Sequence, residues 1–322
     1  MRKELKEKTD LFISNKKTIK KVLRFDNENT YLLGSMLYTI EGKTIDENKI
    51  KEASKIFKEK VSLFSDFRFL SGSVIVRMSL EKNPKTYLER LLKIYDKMNT
   101  GMFSSIYKIV AAILMCDNNK DKDIDALIEK YNTIFQDMKE KHPIITTSSD
   151  IPFAVLLSLS DRKEKEIIKD VNECYELLTE RFSNKNEVQS LSHILALSDV
   201  KSKEKVDRVF EIYDLLKENK RKCSNSYNFQ FLGILAILGK NVNDIVNDVI
   251  EIDNYLGCQK GLGLWPFGKA TRLFFSSFIV ANVNGNSMNG SKTAILTSTL
   301  TNLVVEEILS TILIMNIILL DD

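Results

Sequence analysis

The feature that most constrains this chain is a double rhythm of about 40 residues, the period of helix-pair repeats. A short apolar stretch recurs and ends, mostly in a small residue, at Thr39, Ser79, Cys116, Ser160, Ser198, Leu238 and Ala281. A longer helical pattern follows each copy and carries an aromatic at a fixed place: Phe57, Tyr95, Phe135, Tyr175 and Tyr213, with Asp253 as the exception. Both markers step by 37 to 44 residues. A single helix pair leaves its apolar face open, and stacking the next pair closes it. The expected fold is therefore all-α: tandem antiparallel helix-pair repeats, six to seven units, forming an α-solenoid or α/α toroid-like array. Residues 1–28 read as a basic helix or cap and residues 29–262 as the helical hairpins. Residues 263–322 read as a glycine linker with apolar helices that close the array, the whole being one structural domain.

Local signals agree with that register. Four prolines and twelve glycines are few for 322 residues and favour helix over sheet. Asn284-Gly285 and Asn289-Gly290 sit together in a polar loop and join no alternating runs. In the fourth unit, Ser148, Ser149 and Asp150 are placed to cap a helix over Ile151–Leu159, because their side-chain oxygens can accept the first free backbone donors. Asp161 to Glu164 and Thr44 to Glu47 have capping-box spacing, and Asn83-Pro84 puts a cap before a proline at the first helical position. Val171, Cys174, Tyr175 and Leu178 form a helical stripe, matched by Val209, Ile212, Tyr213 and Leu216. The shorter helix of each pair is apolar nearly all round and is expected to be the inner, more buried layer.

Net charge is only +3, but residues 1–25 hold nine Lys/Arg against three Asp/Glu. Lys16, Lys17, Lys20 and Lys21 read as the solvated face of a first helix whose Leu11, Phe12 and Val22 turn inward. No aromatic–basic interleaving accompanies them, so no nucleic-acid partner is expected. Cys116, Cys174, Cys223 and Cys258 lie 35 to 58 residues apart without paired spacing, which points to a reducing cytoplasm. The chain opens on charge and not on an apolar signal core. Near the other end, Ile308–Leu320 is apolar for only 13 residues and follows Glu306-Glu307. A bilayer span needs about 20 apolar residues, so a buried helix closing the array is expected and membrane association is not.

Motifs that resemble known chemistry fail on specific positions. Gly263 to Thr271 approaches the phosphate-binding loop, yet Ala270 stands where a hydroxyl must follow Lys269, and bulky Leu264, Trp265 and Phe267 fill the cradle. Asp117 to Asp125 alternates like a calcium loop, but Lys122 replaces the obligatory glycine and Ile128 the final carboxylate. With two histidines and unpaired cysteines, no metal site and no cofactor are expected. No Ser-His-Asp or Cys-His arrangement follows from spacing.

His193 stands out by its column: Gly34, Val74, Ala111, Val155, His193, Gly233 and Ser276. Small and apolar neighbours in a column imply close helix approach, and one imidazole departs from it. One turn earlier Gln189 stands in a column with Thr30, Leu70, Tyr107, Ile151, Phe229 and Arg272. Gln189, His193 and Arg272 are therefore candidate ligand-binding residues, the alternative being a core histidine bonded to a carbonyl or to Gln189. His142, before Pro143, is a further candidate and reads as a charge partner at a helix C-terminus.

Three stretches carry a likeness to a known family: Lys141-His142-Pro143 with Thr146 to Asp150, Gln189 to Leu197, and Gln259 to Gly263 with Gly268-Lys269 after it. In these the chain resembles the bacterial domain-of-unknown-function 4003 family, over most of its length and less after about Asn282. The resemblance implies that His193 and the glycine linker belong to a shared pattern; it implies no activity, cofactor or catalytic residue.

The functional expectation is a cytoplasmic scaffold module that binds a protein or peptide and is not an enzyme, its oligomeric state undetermined. The alternative is an enzyme or small-ligand receptor with a polar pocket around Gln189, His193 and Arg272.

Overall fold

The structure, a computed structural model, describes residues 1–23, 28–98, 105–118, 123–221, 229–259, 262 and 268–285. The secondary structure of these residues is helical, without a strand among them. The helices are α1 (Lys3–Val22), α2 (Glu28–Ile40), α3 (Glu47–Lys60), α4 (Ser71–Ser79), α5 (Pro84–Lys97), α6 (Ser105–Asn118) and α7 (Ile124–Lys141). They continue with α8 (Ile151–Ser158), α9 (Glu164–Thr179), α10 (Lys185–Leu195), α11 (Ser202–Glu218), α12 (Gln230–Ile237), α13 (Val242–Gly257) and α14 (Lys269–Gly285). Short 3₁₀ turns at Asp66–Arg68 and Ser148–Asp150 precede α4 and α8. Among the described residues, no helix is long and apolar enough to cross a membrane.

The chain divides into two compact units, one holding residues 10–118 and the other residues 1–9 with 123–285 of the described chain. In the first, α3 packs on α4, α5 on α6, and α2 on α4. In the second, α7 packs on α8, α9 on α10, α11 on α12 and α13 on α14. Each amphipathic helix from α3 to α13 thus lies most extensively on the helix that follows it, and not on the one before. Connection length does not set this preference: Leu159 to Lys163 links α8 to α9 and Glu180 to Asn184 links α9 to α10, five residues in each case.

Burial follows the apolar pattern. All eight residues of α8 are buried, as are most of α12 and α10. On the longer helices only a stripe is covered: Ile167, Val171, Cys174 and Leu178 on α9, and Val206, Val209, Ile212 and Leu216 on α11. Tyr95, Phe135, Tyr175 and Tyr213 come out half-buried, each directly after a buried Ile94, Ile134, Cys174 or Ile212. Asp253, the exception in that column, is buried. On α1, Phe12 is buried with Ile13 and Ile19, while Leu11 and Val22 are only half-buried; Lys17, Lys20 and Lys21 are exposed.

Helix starts correct several cap expectations. Asn83 does cap α5, accepting from Thr86, with Pro84 at the first position. α3, however, is capped by Asp46 and not Thr44, since Asp46 accepts from Asn48 and Lys49. α9 begins after Lys163 with no side-chain cap, so Asp161 does not serve there. Before α8 the capping box is Thr147 with Asp150, whose carboxylate takes the Thr147 N–H at 2.8 Å. Asn284 and Gly285 are the buried end of α14 and not a loop. Cys116 and Cys174 are buried and Cys258 exposed. Residues 263–267, Cys223, Asn289-Gly290 and Ile308–Leu320 lie outside the described residues.

Candidate functional site

Within each compact unit the members of the His193 column are buried, two of them at close helix approaches. Val74, Ala111, Val155 and Ser276 are fully buried. A Cβ added at Gly34 would collide with Ile19 of α1 and approach Val76 of α4 at 3.2 Å. At Gly233 of α12 it would meet Leu191 and Ile194 of α10 at 2.8 and 2.9 Å. His193 sits in this packed layer with 1% exposure, its ring 5.4 Å from that of Phe153 on α8.

Its polar neighbours come from the turn before α8. Gln189, one turn before His193 on α10, donates from Nε2 to Thr146 Oγ1 at 3.0 Å and to Asp150 Oδ1 at 3.3 Å. His193 Nδ1 lies 3.8 Å from the same Asp150 Oδ1. Thr146 in turn donates to the Met138 carbonyl of α7. All four side chains are buried. Two of their atoms, Gln189 Oε1 and His193 Nδ1, have no hydrogen-bond partner among the described residues. Burial lifts the Asp150 carboxyl to about 7, against which the Thr147 N–H pulls down. Burial, with a smaller contribution from the charge of His142, depresses His193 to about 3. Near neutral pH the imidazole is therefore uncharged.

His142 closes α7, its N–H bonding the Met138 carbonyl, and its ring lies 4.4 Å from Tyr175. Burial first, then Lys141, lowers its pKa below the ordinary value. His142 thus stands at the C-terminus of α7, as read from sequence, with its ring carrying less positive charge than an ordinary imidazole.

Arg272 is committed elsewhere. Its Nε lies 2.6 Å from Asp253 Oδ1, Arg221 Nε lies 2.7 Å from Asp253 Oδ2, and the guanidinium packs on Gly257. Gln189 and His193 are brought together on Asp150; Arg272 is held at the α13–α14 packing by an aspartate in the aromatic column. The calcium-like stretch is likewise engaged in structure: Asp117 accepts from Arg77 and Tyr87, and Asp123 caps α7. Among the described residues, no group of three or more His, Cys, Asp or Glu is arranged to hold a metal ion. Lys269 and Ala270 open α14, and the described helix before it is α13.

Two features escaped sequence reading. Asp150 was legible only as a cap, although Thr147 to Asp150 has the spacing of a capping box and so directs the carboxylate back toward the turn. The second is a surface loop, residues 61–70, in which Leu63, Phe64 and Phe69 are 78%, 98% and 71% exposed. The loop is held from beneath. Phe67 is buried against Tyr95, Tyr95 donates to Asp66 at 2.9 Å, and Arg68 bonds the Ser62 and Val61 carbonyls while lying over Phe57.

A family model described as a protein of unknown function, DUF4003, matches residues 15–312. The chain belongs to the DUF4003 family. Thr146 to Asp150 and Gln189 to Leu197, two of the stretches that carry the likeness, are those that meet at the buried cluster. A relative in Bacillus subtilis (strain 168), the uncharacterized protein YeaA, is 24% identical over 202 residues. The match spans 59% of this chain and 60% of the relative's own length. No solved structure matches the chain.

Proposed function

We propose that this DUF4003 protein is a cytoplasmic helical-repeat module that binds a protein or peptide partner through the 61–70 loop and catalyses no reaction. The repeat reading takes support from the order of elements, mostly buried helices alternating with amphipathic ones from α2 to α14. On this reading residues 29–262 are tandem helix pairs of an α-solenoid or toroid-like array. The observation that carries the binding function is the exposure of Leu63, Phe64 and Phe69 on a loop fixed by its own hydrogen bonds. Large apolar side chains clustered in water cost free energy, and burying one releases about 1.5–3 kcal/mol. Because the loop is preorganised, little of that gain is lost to ordering it on association.

The test is co-purification from native extract of the full chain and of a Leu63→Ser/Phe64→Ser/Phe69→Ser variant with an unchanged thermal transition. The expected result is a stoichiometric partner held by the native chain and lost by the variant. A chain that retains no stoichiometric partner, or a partner indifferent to the three substitutions, ends this reading.

The alternative, an enzyme or small-ligand receptor, draws on one observation, the meeting of Gln189 and His193 at Asp150. Thermal-shift screening against metabolites, native chain beside His193→Ala, distinguishes it: a ligand-induced rise that the variant loses favours a receptor.

A further inference from the structure

Buried polar atoms nearly always find a partner, and an orphan carries a cost of about 1–3 kcal/mol. In the second compact unit two such orphans, His193 Nδ1 and Gln189 Oε1, belong to residues that both address Asp150. Asp150 has its Oδ2 engaged by the Thr147 N–H and its Oδ1 by Gln189. The same Oδ1 is 3.8 Å from Nδ1, beyond a hydrogen bond but within about 1 Å of one. We propose that Asp150 and His193 form a buried acid–base dyad that holds one shared proton, carried on the carboxyl and directed at Nδ1, and so joins the start of α8 to α10.

The arrangement satisfies the orphan on the imidazole, His193 Nδ1. A protonated carboxyl is a donor, an imidazole protonated only on Nε2 accepts at Nδ1, and a small side-chain rotation closes the gap. The other distribution, carboxylate with imidazolium, would put two charges in an apolar layer between Phe153 and the α10–α12 packing. Burial acts in the same sense on each member, upward on Asp150 and downward on His193.

The charges around the pair do not reverse this. His142 at the end of α7 adds only a lowering influence on His193. Tyr131 of α7 and Cys174 of α9 are pushed up to about 12 by burial and stay uncharged. On α10 itself, Glu187 accepts from the Phe229 N–H at the start of α12. Asp170, Lys205 and Arg162 lie at the far end of α10, where they bond one another and the Ala196 and Ser198 carbonyls.

Proton accounting gives the dyad a distinctive behaviour. In the unfolded chain the pair holds one proton between the ordinary values of 3.8 and 6.5, and the imidazole carries it. In the folded chain it holds one between about 3 and about 7, and the carboxyl carries it. Folding breaks the Nδ1–H bond and makes the carboxyl O–H bond, with no proton taken from or given to solvent. The native pair therefore lends stability almost no pH dependence across that window.

Each single substitution uncovers the remaining partner. Asp150→Asn leaves a base with a depressed pKa, whose contribution is present above 6.5 and lost as pH falls. His193→Phe leaves an acid with a raised pKa, whose contribution is present below 3.8 and lost as pH rises. Urea unfolding of the two variants across about pH 4.5 to 6.5 should give slopes of opposite sign, each approaching tenfold in the unfolding constant per pH unit. The native chain should lie nearly flat between them. Parallel profiles for the two variants overturn the dyad.

Nitrogen and carboxyl-carbon NMR on the labelled native chain at about pH 5 decides the matter even where a variant does not fold. The expected spectrum shows a neutral His193 protonated on Nε2 and a protonated Asp150. An imidazolium, an ionised carboxylate or the Nδ1–H tautomer at that pH would sink the proposal.

Discussion

Lys205 lies 2.7 Å from Asp170 with its whole side chain buried, and its ammonium also donates to the Ser198 carbonyl just past the end of α10. Arg162 reaches the same aspartate and donates to Ala196 and Ser198. The pair is one instance of a recurring device. Counting back five residues from Phe135, Tyr175, Tyr213 and Asp253 gives Lys130, Asp170, Arg208 and Asp248. Lys130 donates to the Ser160 and Arg162 carbonyls after α8, and Arg208 to Ala236 and Lys240 around the end of α12. Where the column holds an acid it recruits the cation instead: Asp170 takes Lys205 and Arg162, and Asp248 takes Arg2, which also reaches Asn284 at the end of α14. After α8, α10 and α12 positive charge thus arrives where the last carbonyls of a short helix have no intrahelical donor, whereas Arg2 meets the Asn284 side chain at the end of the longer α14.

Lys205→Met should lower stability by about 2–4 kcal/mol, read by urea unfolding. Removing one member of a buried pair leaves the other charge stranded, and Arg162 moderates the loss because it still contacts Asp170. The double variant Asp170→Asn/Lys205→Met should cost less than the sum of the two singles. Strict additivity would show that the two residues do not share one interaction.

Arg208→Met should cost about 1 kcal/mol, and that loss should be local. Amide exchange is expected to quicken in the last turn of α12 and in residues 238–240, where the freed carbonyls lie, and to change little in α7 and α8. Uniform loss of protection through the second unit would refute a capping role.

Much of the fold was legible because two signals were redundant. Apolar periodicity placed α5, α9 and α11, and a composition apolar all round placed α8 and α12, which are buried on every side. What sequence could not give was which neighbour each helix would choose. Helices before and after an amphipathic helix both offer apolar surface, and α9 packs on α10 although α8 is the more apolar of the two, a choice that composition does not reveal. Cap assignments failed for a related reason. Asp46 and Thr44 are both competent caps, and only the backbone entry angle selects Asp46.

The candidate site was half legible. A histidine in a column of Gly, Val, Ala and Ser reads correctly as buried at a close helix approach. Its partner was hidden, since Asp150 follows Ser148 and Ser149 in a stretch that reads as cap residues, and nothing local says that its carboxylate faces α10. Arg272 shared a column with Gln189, yet in its unit Asp253 replaces the aromatic and draws the guanidinium to α13. A column comparison assumes that each unit keeps its neighbours, and a single ionic exchange defeats it.

Gly233→Ala should destabilise by about 1–2 kcal/mol, although alanine is the better helix former by about 1 kcal/mol. The added methyl would press on Leu191 at 2.8 Å and on Ile194 at 2.9 Å, and the Ile194 Cβ, 3.3 Å away, is fixed to the α10 backbone. Calorimetry on the two chains decides the sign. A higher melting temperature for the variant would mean that α10 and α12 can separate without penalty.

Glu187→Gln should stabilise the protein increasingly as pH rises from about 4 toward 7. Burial raises the Glu187 carboxyl above its ordinary value, and the Phe229 N–H opposes this in part. For an acid with a raised folded pKa, the favourable contribution is complete below the unfolded value of 4.5 and is lost as pH climbs through the folded one. Glutamine keeps an oxygen for the Phe229 N–H while removing the charge, so the α10–α12 link survives and the pH-dependent loss disappears. The measurement is the difference in melting temperature between variant and native chain at each pH. A difference that stays constant, or that shrinks with rising pH, would show Glu187 ionised in the folded protein throughout, with its charge compensated within the α10–α12 packing.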